Sequence, residues 1–362
     1  MFFGAVTANI GDEVRNMEKL QIREFGSTKK GQKVRLFTMV NDVGMSASVT
    51  EYGANLVSLD VPDKNGKLRD VVLGYDDVSG YEEGGASVGA TVGRNANRIG
   101  GAAFIINGKK YELEKNDNGN NLHSGPDVYN KRMWETEKAE DARVTFLLHS
   151  PDGDQGYPGS LDMRVTYELT EENELYITYD AVPNQDTVIN MTNHSYFNLN
   201  GHNSGTVLRH RVMLNADYFT RADKESIPTG EFVDVTGTPM DFRKAHAIGD
   251  GIEADYEAIR FGGGYDHNWV LKNNGKFDKV AQAEGEASGI VMEVWTDLPG
   301  MQMYTANFLD GEEGKDGAVY GKRDAVCFET QYFPDAVNKE NFESPICKAG
   351  GHYQTVTAYK FV

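Results

Sequence analysis

The segment 190–199, NMTNHSYFNL, has a pattern that fits a β-strand with an unusual face. Alternate side chains of a strand point to the same side, and here that side carries no apolar residue: Asn190, Thr192, His194, Tyr196 and Asn198. Such a face is either exposed to water or lines a site where polar groups converge on a ligand. His194 is the candidate proton donor of this set.

A candidate base lies in the segment 325–336, AVCFETQYFPDA. Strand alternation places Cys327, Glu329 and Gln331 on one face, and Pro334 is expected to end the strand. A carboxylate in so apolar a strand would be partly desolvated, which raises its pKa toward values useful for a base near neutral pH. The alternative is a Glu on an edge strand that faces water.

Four further residues could complete a site. They are His123 in NNLHSGP, Asn97 and Arg98 in GRNANRIGGAAF, and Asp266 in GYDHNW. Each has an ordinary alternative: a structural histidine, a surface cation or a turn residue. Taken together, a base, one or two acids, an arginine, an aspartate and several amides suit a polyhydroxylated ligand, because each hydroxyl both donates and accepts.

Such a ligand also needs an apolar surface, and Trp269 or Phe197 is expected to supply an aromatic face for stacking. No cofactor is expected. The chain has neither a His-Glu-x-x-His motif nor a cysteine pair at zinc spacing, so a dedicated metal site is not predicted. The Gly-rich FGGGYDH lacks the Lys and Ser/Thr of a phosphate-binding loop, so nucleotide binding is not predicted either.

The formal net charge of −19 argues against nucleic acid, anionic membranes and polyphosphate as partners, since each requires a basic surface. A neutral small molecule meets no such objection. Cys327 and Cys347 are too few for a disulfide framework and are interpreted as inert buried thiols. No stretch has the roughly 20 apolar residues of a membrane helix, and the first residues make a poor signal peptide. A cytoplasmic location is therefore expected.

Antiparallel β-strands are expected to position these groups. The segment 161–181, LDMRVTYELTEENELYITYDA, alternates apolar and polar residues on both sides of a polar turn at 170–173, which predicts a hairpin. Similar runs recur along the chain, and no apolar stripe of helical period extends over three turns. The prediction is an all-β fold, a large antiparallel β-sandwich with few short helices. Residues 17–362 are expected to form one domain, with residues 1–16 a possible loose N-terminal extension.

Eight segments together resemble the galactose mutarotase (aldose 1-epimerase) family. In family order they are VGRNANRIGGAAF, NNLHSGP, NMTNHSYFNL, IPTGE, GTPMDFR, GGGYDHNWVL, PGMQMYTANFLDG and CFETQYFPDA. Each segment alone is a weak signal, whereas all eight in order are highly specific. The resemblance covers roughly residues 35 to 362.

The resemblance implies a large β-sandwich that binds free aldoses such as galactose or glucose and interconverts their α and β anomers without a cofactor. By matching motif, Glu329 would be the general base and His194 the general acid. Substrate-binding positions would be Asn97, Arg98, His123, Asp266 and Gln302. A monomer or homodimer is expected, and the preferred aldose is left open.

Three alternatives remain at this point. A non-catalytic sugar-binding module on the same fold would lose the acid or the base. A retaining glycosidase would use Asp266 and Glu329 as its carboxylate pair. A hexose-6-phosphate epimerase would show extra cations for the phosphate.

Overall fold

The structure is a computed structural model that describes residues 18–362. The hairpin predicted over 161–181 is formed by the strands Leu161–Leu169 and Glu174–Ala181, and residues 170–173 make the turn. Every second residue of the first strand is buried, which agrees with the predicted alternation. The N-terminal extension predicted for residues 1–16 lies outside the described residues, and the single domain over 17–362 stays a prediction.

The hairpin belongs to an antiparallel sheet of nine strands, the large sheet. Its strands, in spatial order, are Glu135–Glu140, Arg143–Ser150, Leu161–Leu169, Glu174–Ala181, Tyr353–Phe361, Val291–Thr296, Asp278–Glu284, Arg211–Leu214 and His246–Ala247. All its pairings are antiparallel.

A second antiparallel sheet, the six-stranded sheet, holds the predicted base. Its strands, in spatial order, are Tyr196–Phe197, Val326–Gln331, Gly300–Tyr304, Asp266–Val270, Tyr218–Ala222 and Pro228–Asp234. A five-stranded sheet comprises Leu20–Ser27, Lys33–Val40, Ser46–Thr50, Asn55–Pro62 and Leu68–Asp70.

The remaining strands form two-stranded pairs: Ala90–Val92 with Thr192–His194, Arg98–Ile99 with Asn121–Leu122, Ala103–Ile106 with Lys109–Glu112, Thr187–Val188 with Ile346–Cys347, and Glu312–Glu313 with Val319–Tyr320. The α-helices are Val78–Glu83 and Glu257–Gly262, and the short 3₁₀ turns are Gly100–Ala102, Tyr129–Lys131, Asp154–Gly156, Ile248–Asp250, Lys315–Gly317 and Ala336–Asn338. Within residues 18–362, no helix has the length and apolar character needed to cross a bilayer.

The sheets share one apolar core. The ring of Tyr359 on the large sheet lies 4.8 Å from that of Phe197 on the six-stranded sheet, and its hydroxyl donates to the carbonyl of Phe328 at 3.1 Å. Phe37 of the five-stranded sheet packs edge-on against Phe146 of the large sheet, with ring centroids 5.5 Å apart. These contacts between faces of antiparallel sheets confirm the predicted all-β sandwich.

Three of the strands that the sequence pattern does not reveal share a physical reason. Leu20–Ser27, Glu135–Glu140 and Pro228–Asp234 each lie at the edge of a sheet, and most of their side chains are exposed or half-buried. Edge strands commonly carry charged residues, so the apolar alternation that reveals a strand is weak in them.

The two cysteines differ from each other. Both are free, and Cys327 is fully buried, whereas Cys347 is only partly buried. The interpretation of both residues as buried thiols is therefore wrong for Cys347.

Candidate active site

Strand register brings three of the predicted site residues, Asp266, Gln302 and Glu329, together on one face of the six-stranded sheet. Facing residues on adjacent strands form two rows: Asp266, Tyr304, Cys327 and Tyr196 in the first, and Asn268, Gln302 and Glu329 in the second. Because side chains alternate with a period of two, residues two apart on a strand share a face. A slip of one residue would turn Glu329 into the apolar core.

The predicted base and acid lie next to each other. Nε2 of His194 is 3.6 Å from Oε1 of Glu329, and only 6% and 2% of the two residues is exposed. Oε2 of Glu329 has no hydrogen-bond partner among the described residues. The alternative of a Glu facing water is therefore wrong.

Burial sets the proton affinities of both groups. Loss of hydration raises the pKa of Glu329 well above 4.5, the negative charge of Asp266 raises it further, and Arg98 opposes the shift. Burial lowers the pKa of His194 to about 4. In both groups the pKa shifts because burial disfavours the charged form, as expected for desolvated groups. The imidazole of His194 is therefore neutral at pH 7.

The segment 190–199 is not the single strand that its pattern predicts. Thr192–His194 pairs with Ala90–Val92, and Tyr196–Phe197 pairs with the strand of Glu329, so the chain changes sheet at Ser195. The side chain of Asn193 accounts for the change, because its Oδ1 accepts hydrogen bonds from the backbone and the hydroxyl of Ser195. His194 and Tyr196 both line the pocket nevertheless.

His123 is fixed by a mutual contact with Asn97. The backbone amide of His123 donates to the carbonyl of Asn97 at 2.9 Å, and the amide of Asn97 donates to Nδ1 of His123 at 3.1 Å. Both residues have positive φ, 53° and 59°, a conformation that is uncommon outside glycine and in which Asn and His are enriched. Backbone strain of this kind tends to occur at functional sites.

One ion pair and one hydrogen bond orient the charged groups of the site. Nε of Arg98 donates to Asp117 at 2.7 Å, and Nε2 of Gln302 donates to Oδ1 of Asp266 at 2.7 Å. Arg98 and Asp266 line the pocket, whereas Gln302 lies beside Asp266 and is itself buried.

These groups surround a pocket with a volume of about 190 Å³. Its lining comprises Gly85, Ala86, Ser87, Asn97, Arg98, Leu122, His123, His194, Tyr196, Asp266, Tyr304, Phe308 and Glu329. All six catalytic and binding candidates that the sequence offered without the family resemblance are among them.

The aromatic surface was predicted wrongly. Trp269 and Phe197 are fully buried in the core, because both fall on the sheet face opposite to Glu329. The aromatic side chains in the pocket are Tyr196, Tyr304 and Phe308. Phe308 is 70% exposed at the mouth, and an aromatic residue in a loop gives no periodic signal in the sequence.

One candidate metal site occurs in the described part of the chain. It comprises His123, His194 and Glu329, whose ligand atoms all lie within 4.8 Å of one another. Nδ1 of His123 accepts the amide N–H of Asn97, so in the neutral ring the proton sits on Nε2. That nitrogen offers the pocket a hydrogen-bond donor rather than a lone pair. A ligand oxygen suits this arrangement better than a cation.

The chain is similar to known proteins along nearly its whole length. The family described as "Aldose 1-epimerase" matches residues 35–360. The chain is 41% identical to galactose mutarotase of Mus musculus over 332 residues, 91% of this chain and 95% of the mouse protein. It is 36% identical to aldose 1-epimerase of Escherichia coli (strain K12) over 335 residues, 92% and 96% of the two chains.

A solved structure agrees with these sequences. The aldose epimerase homologue from C. elegans superimposes with a TM-score of 0.84 at 32% identity, covering 90% of this chain and 98% of that one. This protein therefore belongs to the aldose 1-epimerase family and is an isomerase, which confirms the family and the class of activity predicted from its sequence.

Proposed function

We propose that this isomerase interconverts the anomers of free aldoses with Glu329 as general base and His194 as general acid. The observation that carries the proposal is the 3.6 Å approach of Nε2 of His194 to Oε1 of Glu329 inside a polar pocket. Opening a sugar ring requires a proton to leave the C1 hydroxyl while another reaches the ring oxygen. Each transfer by a positioned group contributes about 10²–10⁴-fold.

The reaction follows from the two protonation states. Ionised Glu329 takes the proton of the C1 hydroxyl as the bond between C1 and the ring oxygen breaks, which leaves an aldehyde at C1. His194 delivers its Nε2 proton to the ring oxygen and carries the negative charge of an imidazolate until the proton returns on ring closure. Rotation about the C1–C2 bond exposes the other face of the aldehyde, and the reverse transfers close the ring as the other anomer. The sugar gains and loses one proton in each half, so no cofactor takes part.

The remaining site residues are proposed to hold the sugar. Asn97, His123, Arg98 and Asp266 present donors and acceptors to its hydroxyls, a pattern that suits polyhydroxylated ligands. Gln302 is proposed as a binding residue through its place beside Asp266, to which it donates. Arg98 and Asp266 are each held by a neighbouring side chain, so their orientation is fixed before the sugar binds. Less side-chain conformational entropy is therefore lost on binding.

Galactose and glucose are the proposed substrates, since relatives with about 40% identity are galactose mutarotases. Polarimetry of freshly dissolved α-galactose and α-glucose tests the proposal. We expect the protein to speed the approach to anomeric equilibrium for at least one of them, above the buffer-catalysed rate. Equal rates with and without protein for every aldose tried would overturn it.

The site favours this function over the alternatives. A sugar-binding module needs no proton-transfer pair, yet both members are present here at close range. The group that approaches Glu329 is an imidazole rather than the second carboxylate of a retaining glycosidase. Among the described residues that line the pocket, Arg98 is the one Lys or Arg side chain, and Asp117 neutralises it, which disfavours a phosphorylated sugar.

Two further properties are proposed from the sequence. A cytoplasmic location fits the scarcity of cysteines. A monomer or homodimer is proposed as the assembly, and sedimentation velocity distinguishes the two.

A further inference from the structure

Cys327 lies directly behind the proposed acid. Its Sγ is 3.6 Å from Nδ1 of His194, on the ring edge opposite to the one that faces Glu329. The residue is fully buried and stands two positions before Glu329, so the same strand places both groups against the imidazole. The thiol therefore contacts the ring from the side that the sugar does not reach.

The hydroxyls of the two tyrosines beside the ring hydrogen-bond to other groups. The hydroxyl of Tyr196 donates to the carbonyl of Ala86 at 2.9 Å, and the hydroxyl of Tyr304 accepts the amide N–H of Phe308 at 3.2 Å. Among the described residues, the thiol of Cys327 is the side-chain group within hydrogen-bond distance of Nδ1.

The chemistry of the thiol decides which atom donates. Burial raises the pKa of the Cys327 thiol well above 9, so the sulfur keeps its proton at neutral pH. A thiol is a weak donor and a weak acceptor. A neutral imidazole has one N–H and one lone pair, and the hydrogen bond at one nitrogen fixes the role of the other.

We propose that Cys327 is a positioning residue whose S–H donates to Nδ1 of His194 and thereby holds the tautomer that presents Nε2–H to the sugar. This inference rests on the function proposed above, in which Nε2 delivers the proton to the ring oxygen. His123 provides a parallel within the same pocket, because a backbone amide donates to its Nδ1. Both imidazoles then face the ligand as donors.

The contact also bears on the transfer itself. As Nε2 gives up its proton, electron density grows on the ring and makes Nδ1 a better acceptor. The hydrogen bond from the thiol to Nδ1 then becomes stronger. The thiol proton stays on sulfur throughout. A donor at this position is therefore worth more in the transition state than in the resting site, which is the condition for a rate effect.

Kinetics of substituted proteins provide the first test. Cys327→Ala removes the donor and is expected to lower kcat about five- to tenfold with KM little changed, the effect of one neutral hydrogen bond. Cys327→Ser restores an O–H donor and is expected to recover most of the loss. Cys347→Ala, at the partly buried second cysteine, is the matched control and is expected to leave kcat unchanged. A Cys327→Ala protein with normal kcat overturns the proposal, and so does a Ser variant as slow as the Ala variant.

A spectroscopic test reads the tautomer of His194 in the unsubstituted protein and does not depend on activity. ¹⁵N-histidine labelling distinguishes the two neutral tautomers by the shifts of Nδ1 and Nε2, and the signals of His194 are assigned by their loss in His194→Asn. We expect the proton of His194 on Nε2 at pH 7. A proton on Nδ1 overturns the role of Cys327 even if mutarotation is normal, whereas absent mutarotation with the expected tautomer overturns the proposed function alone.

Discussion

Nε2 of His194 and Oε1 of Glu329 lie 3.6 Å apart, although the two residues belong to strands of different sheets. The strand change at Ser195 makes this approach possible, since it carries His194 over the strand of Glu329. Neither group is stabilised in its charged form by burial. The pair is therefore costly for the fold and suited to proton transfer.

The pH dependence of the rate follows from Glu329. Its pKa is raised well above 4.5 by burial and by Asp266, and a base acts only when ionised. Activity is therefore expected to fall as the pH decreases through the raised pKa, with a midpoint above 4.5. His194, with a pKa of about 4, stays neutral over that range. Polarimetric rates from pH 4 to 8, corrected for the buffer-catalysed rate at each pH, check this. A flat profile down to about pH 4 contradicts a desolvated base.

Asp266→Asn is expected to change both binding and the pH profile. Its negative charge helps to raise the pKa of Glu329, so removing the charge moves the acid limb to lower pH. The same change alters a group proposed to hold a hydroxyl, so KM is expected to rise. Asp42→Asn, at an exposed position, is the control. An acid limb that stays in place in Asp266→Asn shows that the two carboxylates are not coupled.

Glu329→Gln is expected to make the protein more stable at neutral pH. The folded-state pKa of Glu329 is raised, so the folded protein binds this proton more tightly than the unfolded chain does. Stability is thus lost as the pH rises from about 4.3, the unfolded value, through the folded pKa. A neutral amide avoids this loss, and we expect a gain of about 1 kcal/mol or more at pH 7.

Urea unfolding at two pH values measures this difference. The gain at pH 7 should shrink toward zero at pH 4, where the wild-type carboxyl is protonated in the folded state and mostly protonated in the unfolded state. Glu168→Gln, at a half-exposed residue paired with Arg143, should change the stability by less than about 0.5 kcal/mol. Equal stability of Glu329→Gln and wild type at pH 7 is incompatible with a buried, unpartnered carboxylate.

The two pocket histidines are expected to respond differently to substitution by Asn. His194→Asn removes the proposed acid and should lower kcat about a hundredfold. His123→Asn should affect kcat and KM together, because His123 is proposed to bind a hydroxyl beside the acid. His149→Asn, at an exposed residue of the large sheet, serves as the control. A His194→Asn protein with altered KM and normal kcat would assign that residue to binding alone.

The sequence predicts those parts of the fold in which burial alternates. The hairpin over 161–181 was found with its turn in place, and alternation in 326–331 correctly separated Glu329 from Phe328, which packs in the core. Edge strands such as Glu135–Glu140 were missed because both of their faces are largely polar. Local patterns report burial, and an edge strand has little of it.

The site was predictable as a set of residues, and its geometry was not. Residue types indicated His194 and Glu329, but the strand change at Ser195 depends on a side-chain contact of Asn193 that alternation does not reveal. The aromatic prediction failed for a related reason. The indole of Trp269 is suited to stacking on a sugar. However, Trp269 follows Asn268 directly in the strand, so its side chain points to the opposite face and packs in the core.

Polarimetry of wild type beside Glu329→Gln tests the central claim most directly. Both proteins, with Glu168→Gln as the control, are added to freshly dissolved α-galactose and α-glucose at pH 7, and folding is checked by circular dichroism. We expect Glu329→Gln to be folded and at least about a hundredfold slower than wild type, and Glu168→Gln to match wild type. A folded Glu329→Gln protein with near-normal activity would contradict the assignment of Glu329 as the base.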